Sequence, residues 1–401
     1  MQKIFTLATA GLIAAATLGA QAQVTVDGQL TAAEVSATGY KLVGRDTGPR
    51  GFAPSATNDA GLIALYTAAD ATNVYFFLVA TLQNDGTPAK ISNSLQLLIS
   101  RSGVAGVPVG TALPKPAAAT GTAVNTSFQN FAPFLDMPGD LGIGIKGTDL
   151  AAQYQVDGVV YSGGTTPSAT AAVLATGVAA TGTASPITAQ TGALTVFNGA
   201  QVAYRTSANL NSNPGFGVNG AGALPANGLE ISVSRASLGL AAAGGNLQIF
   251  ALQNNQDGGF VSSDFIPENT APLPASFTNA PNLGTNPDFR LVPGIQAATI
   301  TVTASSVLSS KAADAAALAL GVYPNPARGE ATVAFNVGSR SENVNIVLTD
   351  LLGRPVRVLA KGVQPAGVQS SVVSTTDVAA GTYLMRVQVG EKVAVSKIVL
   401  L

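Results

Sequence analysis

The chain has no histidine, no cysteine and no tryptophan, although it is 401 residues long. Serine triads, cysteine nucleophiles and zinc hydrolases each need histidine or cysteine as base, nucleophile or metal ligand. The composition therefore excludes these chemistries. Without cysteine there are no disulfide bonds, so a hydrophobic core must supply the stability of an exported form.

Charged residues are also scarce, at 10% of the chain, and the formal net charge is −1. No basic stripe is available to neutralise phosphates, so the sequence predicts no nucleic-acid partner. From Gly158 to Tyr204 there is no charged residue, and Ala, Gly, Thr, Ser and Val predominate. Disordered segments are usually charged and solvating. We therefore expect residues 102–229 to form long loops of small residues and short strands over a sheet.

Long apolar runs are missing except near the N-terminus. Lys3 precedes an uncharged, largely apolar run from Ile4 to Ala20, which closes on Ala20-Gln21-Ala22. This pattern predicts a cleavable secretory signal peptide over residues 1–22. The run is shorter than the roughly 20 apolar residues that cross a bilayer. We expect no transmembrane segment in the mature chain.

The last eighty or so residues alternate between apolar and polar side chains, which is typical of strands with one buried face. The apolar positions are Val333, Phe335, Val337, Val344, Ile346, Leu348, Tyr383, Met385, Val387 and Val389. Turn signals lie at Asp350–Gly353, Lys361-Gly362 and Gly390-Glu391, and the last can close a hairpin onto Val393–Leu400. The pattern predicts a small immunoglobulin-like β-sandwich over residues 321–401.

Nine residues of this segment form a recognisable motif series. They are Tyr323, Pro324, Asn325, Pro326, Asp350, Gly353, Gly381, Tyr383 and Lys397. In order and position the series resembles the type A C-terminal sorting domain of the type IX secretion system, which exports proteins across the outer membrane of certain Gram-negative bacteria. The resemblance implies two partners, an outer-membrane translocon and a sortase-like peptidase. It also implies a secreted protein or one anchored at the outer cell surface.

Residues 23–303, called the passenger below, also read as successive strands. Leu62–Ala68 and Val74–Thr81 flank Asp70-Ala71-Thr72-Asn73 and predict a hairpin. Val24–Leu30 predicts a short opening strand. Further strands are expected at Leu95–Ile99, Leu229–Val233, Leu247–Leu252 and Ala298–Val302. The predicted fold is all-β: a large antiparallel β-sandwich with long Ala/Gly/Thr-rich insertions, a linker over residues 304–320, and the small sandwich.

Two parts of the passenger carry a second resemblance. Val26-Asp27-Gly28, the hairpin with Leu65-Tyr66, and Gly228–Val233 before Leu238-Gly239 look like family-9 carbohydrate-binding modules and their DOMON-like relatives. Those sandwiches bind sugars or, in some relatives, haem. The Ala/Gly-rich stretch between the two parts departs from the family where binding loops would lie, so the resemblance does not give the ligand, and an extracellular glycan partner is a hypothesis. The paired tryptophans of the sugar sites and the histidine ligands of the haem sites are absent.

Two sets of residues are candidates for binding. Tyr40, Tyr154, Tyr161, Tyr204 and Phe216 lie in loop-like segments and could stack on sugars, or they could fill the core. The segment Asn254–Gly259 provides Asp257, and Asp264 and Glu268 follow it, which are oxygen ligands that a structural calcium ion prefers. The same residues also suit a tight turn. No other cofactor is expected.

Catalysis would have to rely on carboxylates alone. Glu230 with Asp257 or Asp264 is the pair that could hydrolyse a polysaccharide. However, Glu230 alternates with apolar residues and is expected on the solvent face of its strand, so no catalytic residue is assigned. The favoured hypothesis is a non-enzymatic adhesive or glycan-binding passenger. The alternatives are a structural surface or matrix component that self-associates through the Ala/Gly/Thr-rich span, and a carboxylate-only hydrolase.

Overall fold

The computed structural model describes most of the chain after the predicted signal peptide. The described residues are 24–35, 39–45, 60–85, 90–117, 125–148, 152–208, 212–213, 224–267, 283–292, 295–308, 318–337, 341–350, 355–390 and 392–401. The signal peptide predicted over residues 1–22 lies outside them. So do four of the later residues named above, which are Phe216, Glu268, Gly353 and Glu391.

The described residues are mainly β-strands, which confirms the all-β prediction. The strands are β1 (Gln29–Leu30), β2 (Lys41–Arg45), β3 (Gly61–Ala69), β4 (Asn73–Thr81), β5 (Gln83–Asp85), β6 (Lys90–Ser92), β7 (Ser94–Arg101), β8 (Leu141–Gly147), β9 (Gln153–Ser162), β10 (Ser168–Ala179), β11 (Ser185–Pro186), β12 (Gln201–Tyr204), β13 (Ala226–Ser234), β14 (Gly245–Asn254), β15 (Phe265–Ile266), β16 (Ala298–Val302), β17 (Val307–Leu308), β18 (Gly321–Arg328), β19 (Glu330–Asn336), β20 (Glu342–Thr349), β21 (Pro355–Gln364), β22 (Val368–Ser374), β23 (Gly381–Val389) and β24 (Lys392–Leu400). Short 3-10 helices occur at Gly192–Phe197 and Phe289–Leu291.

The passenger contains two large antiparallel sheets. The first has the order β11-β12-β13-β4-β3-β2, and β1 also pairs with β13. The second has the order β10-β9-β8-β7-β14-β16-β17, and β15 pairs with β14. The predicted hairpin forms between β3 and β4, because Asp70 Oδ1 accepts hydrogen bonds from the backbone N–H groups of Thr72 and Asn73 at 2.7 Å each.

Both faces of the central passenger strands are buried. Phe76 of β4 and Leu97 of β7 belong to the core shared by the two sheets. Phe77 belongs to a separate cluster on the outer face of the first sheet, and Leu98 to another on the outer face of the second. A strand covered on both faces carries a continuous apolar run instead of an alternation, which explains the uninterrupted sequence from Val74 to Ala80.

One prediction for the passenger holds in part and another is wrong. Residues 102–229 were expected to form long loops and short strands, and the described residues between β7 and β8 and the short strands β11 and β12 agree with this, but β9 and β10 make a long hairpin at the edge of the second sheet. Val and Thr favour the half-buried, pleated surface of a strand, and the scarcity of charge does not oppose this. The opening strand comprises Gln29–Leu30 instead of Val24–Leu30. The strand does not begin earlier because the backbone N–H groups of Asp27 and Gly28 donate hydrogen bonds to the side chain of Glu230.

The C-terminal strands build their own sheet system and core. Their order is β21-β20-β23-β24-β18-β19-β22, and β18 pairs in parallel with β24 at Ala327 and Leu400. Nine of the ten predicted apolar positions are buried, and Tyr383 is partly buried. The turn predicted at Lys361-Gly362 is wrong, since both residues lie within β21. The chain reverses at residues 365–367, where Gly367 has a φ of 93°.

Candidate functional site

The aromatic side chains proposed for sugar stacking lie in the core. Tyr40, Tyr154, Tyr161 and Tyr204 are each at most 2% exposed. The rings of Tyr154 and Tyr204 meet edge to face with centroids 5.8 Å apart. Tyr204 Oη accepts a hydrogen bond from Leu82 N at 2.8 Å. These four residues therefore stabilise the sandwich and do not face a ligand from solvent.

The residues proposed for calcium are used in turns and loop anchoring. Asp257 Oδ1 accepts a hydrogen bond from Gly259 N at 2.9 Å, and Asp257 Oδ2 accepts one from Asn130 Nδ2 at 3.0 Å. Asp264 is buried, and its Oδ2 accepts a hydrogen bond from Leu62 N at 3.4 Å. Within the described ranges, no group of three or more acidic residues gathers as a metal site would require. The geometry of Asp257 fits the turn interpretation.

Glu230 does not point to solvent, which corrects the prediction from its alternation. It is fully buried. Its Oε2 accepts hydrogen bonds from Asp27 N at 2.9 Å and Gly28 N at 3.0 Å, and its Oε1 accepts one from Tyr40 Oη at 2.7 Å. The N-terminal segment thus covers this face of the sheet. A Cβ at residue 28 would lie 2.7 Å from Arg205 N, so this close approach requires glycine.

Burial raises the pKa of Glu230 to about 8, although the three hydrogen bonds oppose the shift. Nearby Glu34 raises this pKa further. Glu34 itself accepts hydrogen bonds from Thr25 N at 3.2 Å and Thr31 N at 3.0 Å. Both acids therefore anchor the N-terminal segment. Glu230 lies on the outer face of the first sheet, whereas Asp257 follows a strand of the second, so the structure does not bring this carboxylate pair together.

A polar cavity of about 300 Å³ lies over the outer face of the second sheet. Its lining residues are Asn125, Lys146, Gly147, Thr148, Gln155, Gln256 and Asp257. Lys146 of β8 and Gln155 of β9 are direct cross-strand partners, so their side chains rise from the same face of the sheet. Gly147 ends β8 and Thr148 follows it, whereas Asn125 comes from the loop before β8, and Gln256 and Asp257 come from the loop after β14. Amide, ammonium, hydroxyl and carboxylate groups thus meet in one space.

Fixed partners hold the polar groups of this cavity in place. Lys146 Nζ donates to Asn125 Oδ1 at 2.7 Å. Gln155 Nε2 donates to Asn125 O at 2.8 Å and to Asp157 Oδ1 at 2.6 Å. Because both amide hydrogens of Gln155 are engaged, its Oε1 is left to accept a hydrogen bond from a ligand. Gln256 Nε2 donates to Gly147 O at 2.8 Å, which fixes the loop after β14.

Asp157 is a buried residue beneath the cavity, and its carboxyl group accepts the hydrogen bonds that hold the surrounding groups in place. Its Oδ2 accepts a hydrogen bond from Ser127 N at 2.7 Å. Burial raises the pKa of Asp157 to about 6, and the bonds from Gln155 and Ser127 together with the charge of Lys146 limit the rise. The sequence analysis missed this cavity. One signal was available, since Lys146 and Asp157 are two of very few charged residues between positions 102 and 229.

In the C-terminal domain, motif residue Asn325 joins the first strand to the last. Asn325 Nδ2 donates to Lys397 O at 2.8 Å, and Asn325 Oδ1 accepts from Val399 N at 2.9 Å. The side-chain amide of Asn325 thus makes the two hydrogen bonds that a backbone peptide group would make, beside Pro324 and Pro326, which have no N–H. Residues 323–326 and Lys397 are exposed at this junction. A continuous surface of motif residues therefore lies where β18 meets β24.

Two further motif residues stabilise the fold around this junction. Tyr383 Oη donates to Ala379 O at 2.9 Å. Gly381 pairs with Leu400, and a Cβ at residue 381 would lie 3.4 Å from the ring of Tyr383. Asp350 follows β20 directly.

Sheet order and motif geometry define an all-β protein that ends in a separate C-terminal β-domain. Residues 321–401 match the family model described as Secretion system C-terminal sorting domain. This segment is a type IX sorting domain, as its motifs predicted. It indicates that the protein is exported, to be secreted or attached at the outer cell surface, and that it interacts with the type IX machinery.

Comparisons beyond this domain add little about the passenger. No curated protein matches the chain. A crystal structure of dimeric latent PorU from Porphyromonas gingivalis is similar over 86% of this chain and 34% of that chain, with 12% identity and a TM-score of 0.19. The chain spans about a third of the length of that protein, and so low a TM-score supports no functional argument. Within the described residues, no helix has the length and apolar character to cross a membrane.

Proposed function

We propose that the passenger is a non-enzymatic, adhesive glycan-binding domain that the sorting domain delivers to the outside of the cell. Its ligand would occupy the polar cavity over β8 and β9. The observation that carries this proposal is the fixed pair formed by Lys146 and Gln155, which presents a cationic donor beside an acceptor in a cavity of about 300 Å³.

The chemistry of this pair suits sugar hydroxyl groups. A hydroxyl both donates and accepts hydrogen bonds, so an adjacent donor and acceptor recognise it well. The partners of Lys146 and Gln155 are already in place, which lowers the entropy cost of binding. Asp257 lies in the same cavity and offsets the positive charge of Lys146. This balance favours a neutral sugar over an acidic one.

An exposed aromatic residue on the same loop supports the proposal. Phe260 is 50% exposed and lies three residues after Asp257, in the loop between β14 and β15 that also carries Gln256. Its backbone N–H bonds to the side-chain oxygens of Asn254 at 3.3 Å and Asn255 at 3.2 Å, which orders the loop tip. Among the described aromatic residues of the passenger, Phe260 is the exposed one. It offers the flat apolar face on which a sugar ring can stack.

The position of Glu230 supports a passenger without hydrolytic activity. The oxygens of this carboxyl group already accept three hydrogen bonds, and the group is covered by the N-terminal segment. A carboxylate that protonates or attacks a glycosidic bond must reach the substrate.

Removal of the sorting domain by a sortase-like peptidase is part of the same proposal. It is supported by a hydrophobic core built from residues 318–400 alone.

Substitution of Lys146 or Gln155 should remove glycan binding. A glycan array probed with the mature chain would identify the sugar, and calorimetry would give its affinity. We expect Lys146→Met to weaken binding by at least about tenfold, since a lost hydrogen bond involving a charged group costs roughly 1.5–3 kcal/mol. Gln155→Ala should weaken binding by roughly two- to tenfold, since a neutral hydrogen bond contributes about 0.5–1.5 kcal/mol. Gln201→Ala is the matched control, because Gln201 is an exposed residue of the first sheet. Absence of any binding sugar, or equal affinity of all variants, would refute the proposal.

A further inference from the structure

Strand β10 forms one edge of the second passenger sheet. It runs over 12 residues and, in the described part of the chain, pairs with β9 alone. Ala172, Ala175 and Val178 pack against the shared core, while Ala169 and Ala171 pack against the cluster on the outer face. The strand is therefore firmly held. On its outer edge, alternate backbone N–H and C=O groups point away from β9.

The other edges of the two passenger sheets carry features that oppose pairing, whereas β10 has no charge or proline. Among the described strands, β11 and β17 each comprise two residues, and β11 contains Pro186. Strand β2 begins with Lys41 and ends with Arg45. Short length, proline and positive charge are the usual means by which proteins prevent edge strands from pairing with other molecules. Strand β10 is long, and the whole span from Gly158 to Tyr204 is uncharged.

We propose that the edge of β10 is a homotypic interface, where a second copy of this chain adds its own β10 in antiparallel orientation. An uncharged strand placed opposite itself creates no like-charge repulsion, and Thr side chains make favourable cross-strand pairs. Antiparallel pairing of two identical strands has two-fold symmetry, so the contact closes at a dimer. This assembly is independent of the glycan site and would give the surface protein two binding sites.

The regular half of β10 is the part that pairs. Ser168 to Val173 keep an unbroken register with Ser162 to Asp157 of β9. The register shifts between Val173 and Ala175 and again between Ala175 and Val178, and such bulges twist an edge away from a partner. The contact should therefore involve residues 168–173.

Lysine substitution on this edge should prevent the dimer from forming. We expect the mature full-length chain to sediment as a dimer at micromolar concentration, and Thr170→Lys combined with Ser168→Lys to sediment as a monomer. Both side chains are exposed, so the fold should remain intact, as circular dichroism would verify. Gln201→Lys adds a lysine at an exposed position of β12, which already pairs on both sides, and should remain a dimer. A wild-type monomer at every concentration, or a dimer in all variants, would overturn the proposal.

Single cysteines can locate the interface, because the chain has none of its own. Cysteine placed in turn at residues 168–173 should form disulfide-linked dimers most efficiently at the residues nearest the two-fold axis, where a residue faces its own copy. Cysteine at Gln201 should form none. Equal cross-linking at all positions, or assemblies larger than a dimer, would contradict a symmetric pairing of β10.

Discussion

Removal of residues 321–401 is expected to abolish export and to leave the passenger between the two membranes. The sorting domain is the part of the chain that the type IX machinery recognises. Its exposed motif surface is assembled from β18 and β24, so a chain without these strands offers the translocon nothing to bind. Cell fractionation should find the full-length protein outside the cell and the truncated protein in the periplasm.

The control for this truncation is a passenger variant with an intact sorting domain. Lys146→Met alters the proposed glycan site and should leave export unchanged. If the truncated chain appeared in the medium at the level of the full-length protein, residues 321–401 would not be the export signal. If Lys146→Met also blocked export, the passenger itself would contribute to recognition.

Loss of the Glu230 side chain should cause the largest fall in passenger stability of any single substitution considered. Glu230→Ala leaves the N–H groups of Asp27 and Gly28 and the hydroxyl of Tyr40 without their acceptor. Each buried donor left unsatisfied costs about 1–3 kcal/mol, so we expect a loss of about 3–5 kcal/mol in the free energy of unfolding. Glu230→Gln keeps an acceptor for the two N–H groups and can donate to Tyr40, and should cost about 1 kcal/mol or less. Denaturant unfolding followed by circular dichroism measures both changes below pH 4.5, where the wild-type carboxyl group is protonated in the folded and the unfolded state.

The pH dependence provides a second, sharper test of Glu230. In the unfolded chain this group loses its proton near pH 4.5, whereas burial raises its pKa to about 8 in the folded protein. The folded state therefore binds more protons between these values, and stability falls as pH rises through this window. A shift of this size is worth on the order of 5 kcal/mol, at about 1.4 kcal/mol per unit of pKa.

Asp157 also makes the stability fall with rising pH, but only up to about pH 6, because burial raises its pKa to about 6. Above this pH the effect of Glu230 can therefore be distinguished from that of Asp157. Between pH 6.5 and 8, the wild type should lose stability, whereas Glu230→Gln should not, and Asp157→Asn should retain the slope. A wild type and a Glu230→Gln variant with the same pH profile would show that this carboxyl group titrates normally and does not hold the N-terminal segment as described.

The C-terminal domain was predictable because its pattern is local. Each strand has one buried face, so the alternation around Val333, Ile346 and Val387 identifies these core residues from their immediate neighbours in the sequence. The error at Lys361-Gly362 has a physical reason. A glycine with a φ of 158° is close to extended, and a strand accommodates it without a turn.

The passenger was harder to predict because its decisive contacts are distant in sequence. Glu230 is buried by Asp27 and Tyr40, about two hundred residues earlier, and alternation within β13 cannot reveal such a cover. The polar cavity likewise joins Asn125 and Lys146 to Gln256. In β10, small residues fit loops and strands equally well, so composition alone could not decide.

The central claim is that residues 321–401 suffice as an export signal. The most direct test fuses residues 321–401 to a fluorescent reporter that carries a signal peptide, in a bacterium with a type IX secretion system. Antibody labelling of intact cells and of the medium then locates the reporter, with the reporter lacking these residues as the control. We predict that the fusion reaches the outer surface or the medium while the control stays in the periplasm. Retention of both in the periplasm would contradict the account.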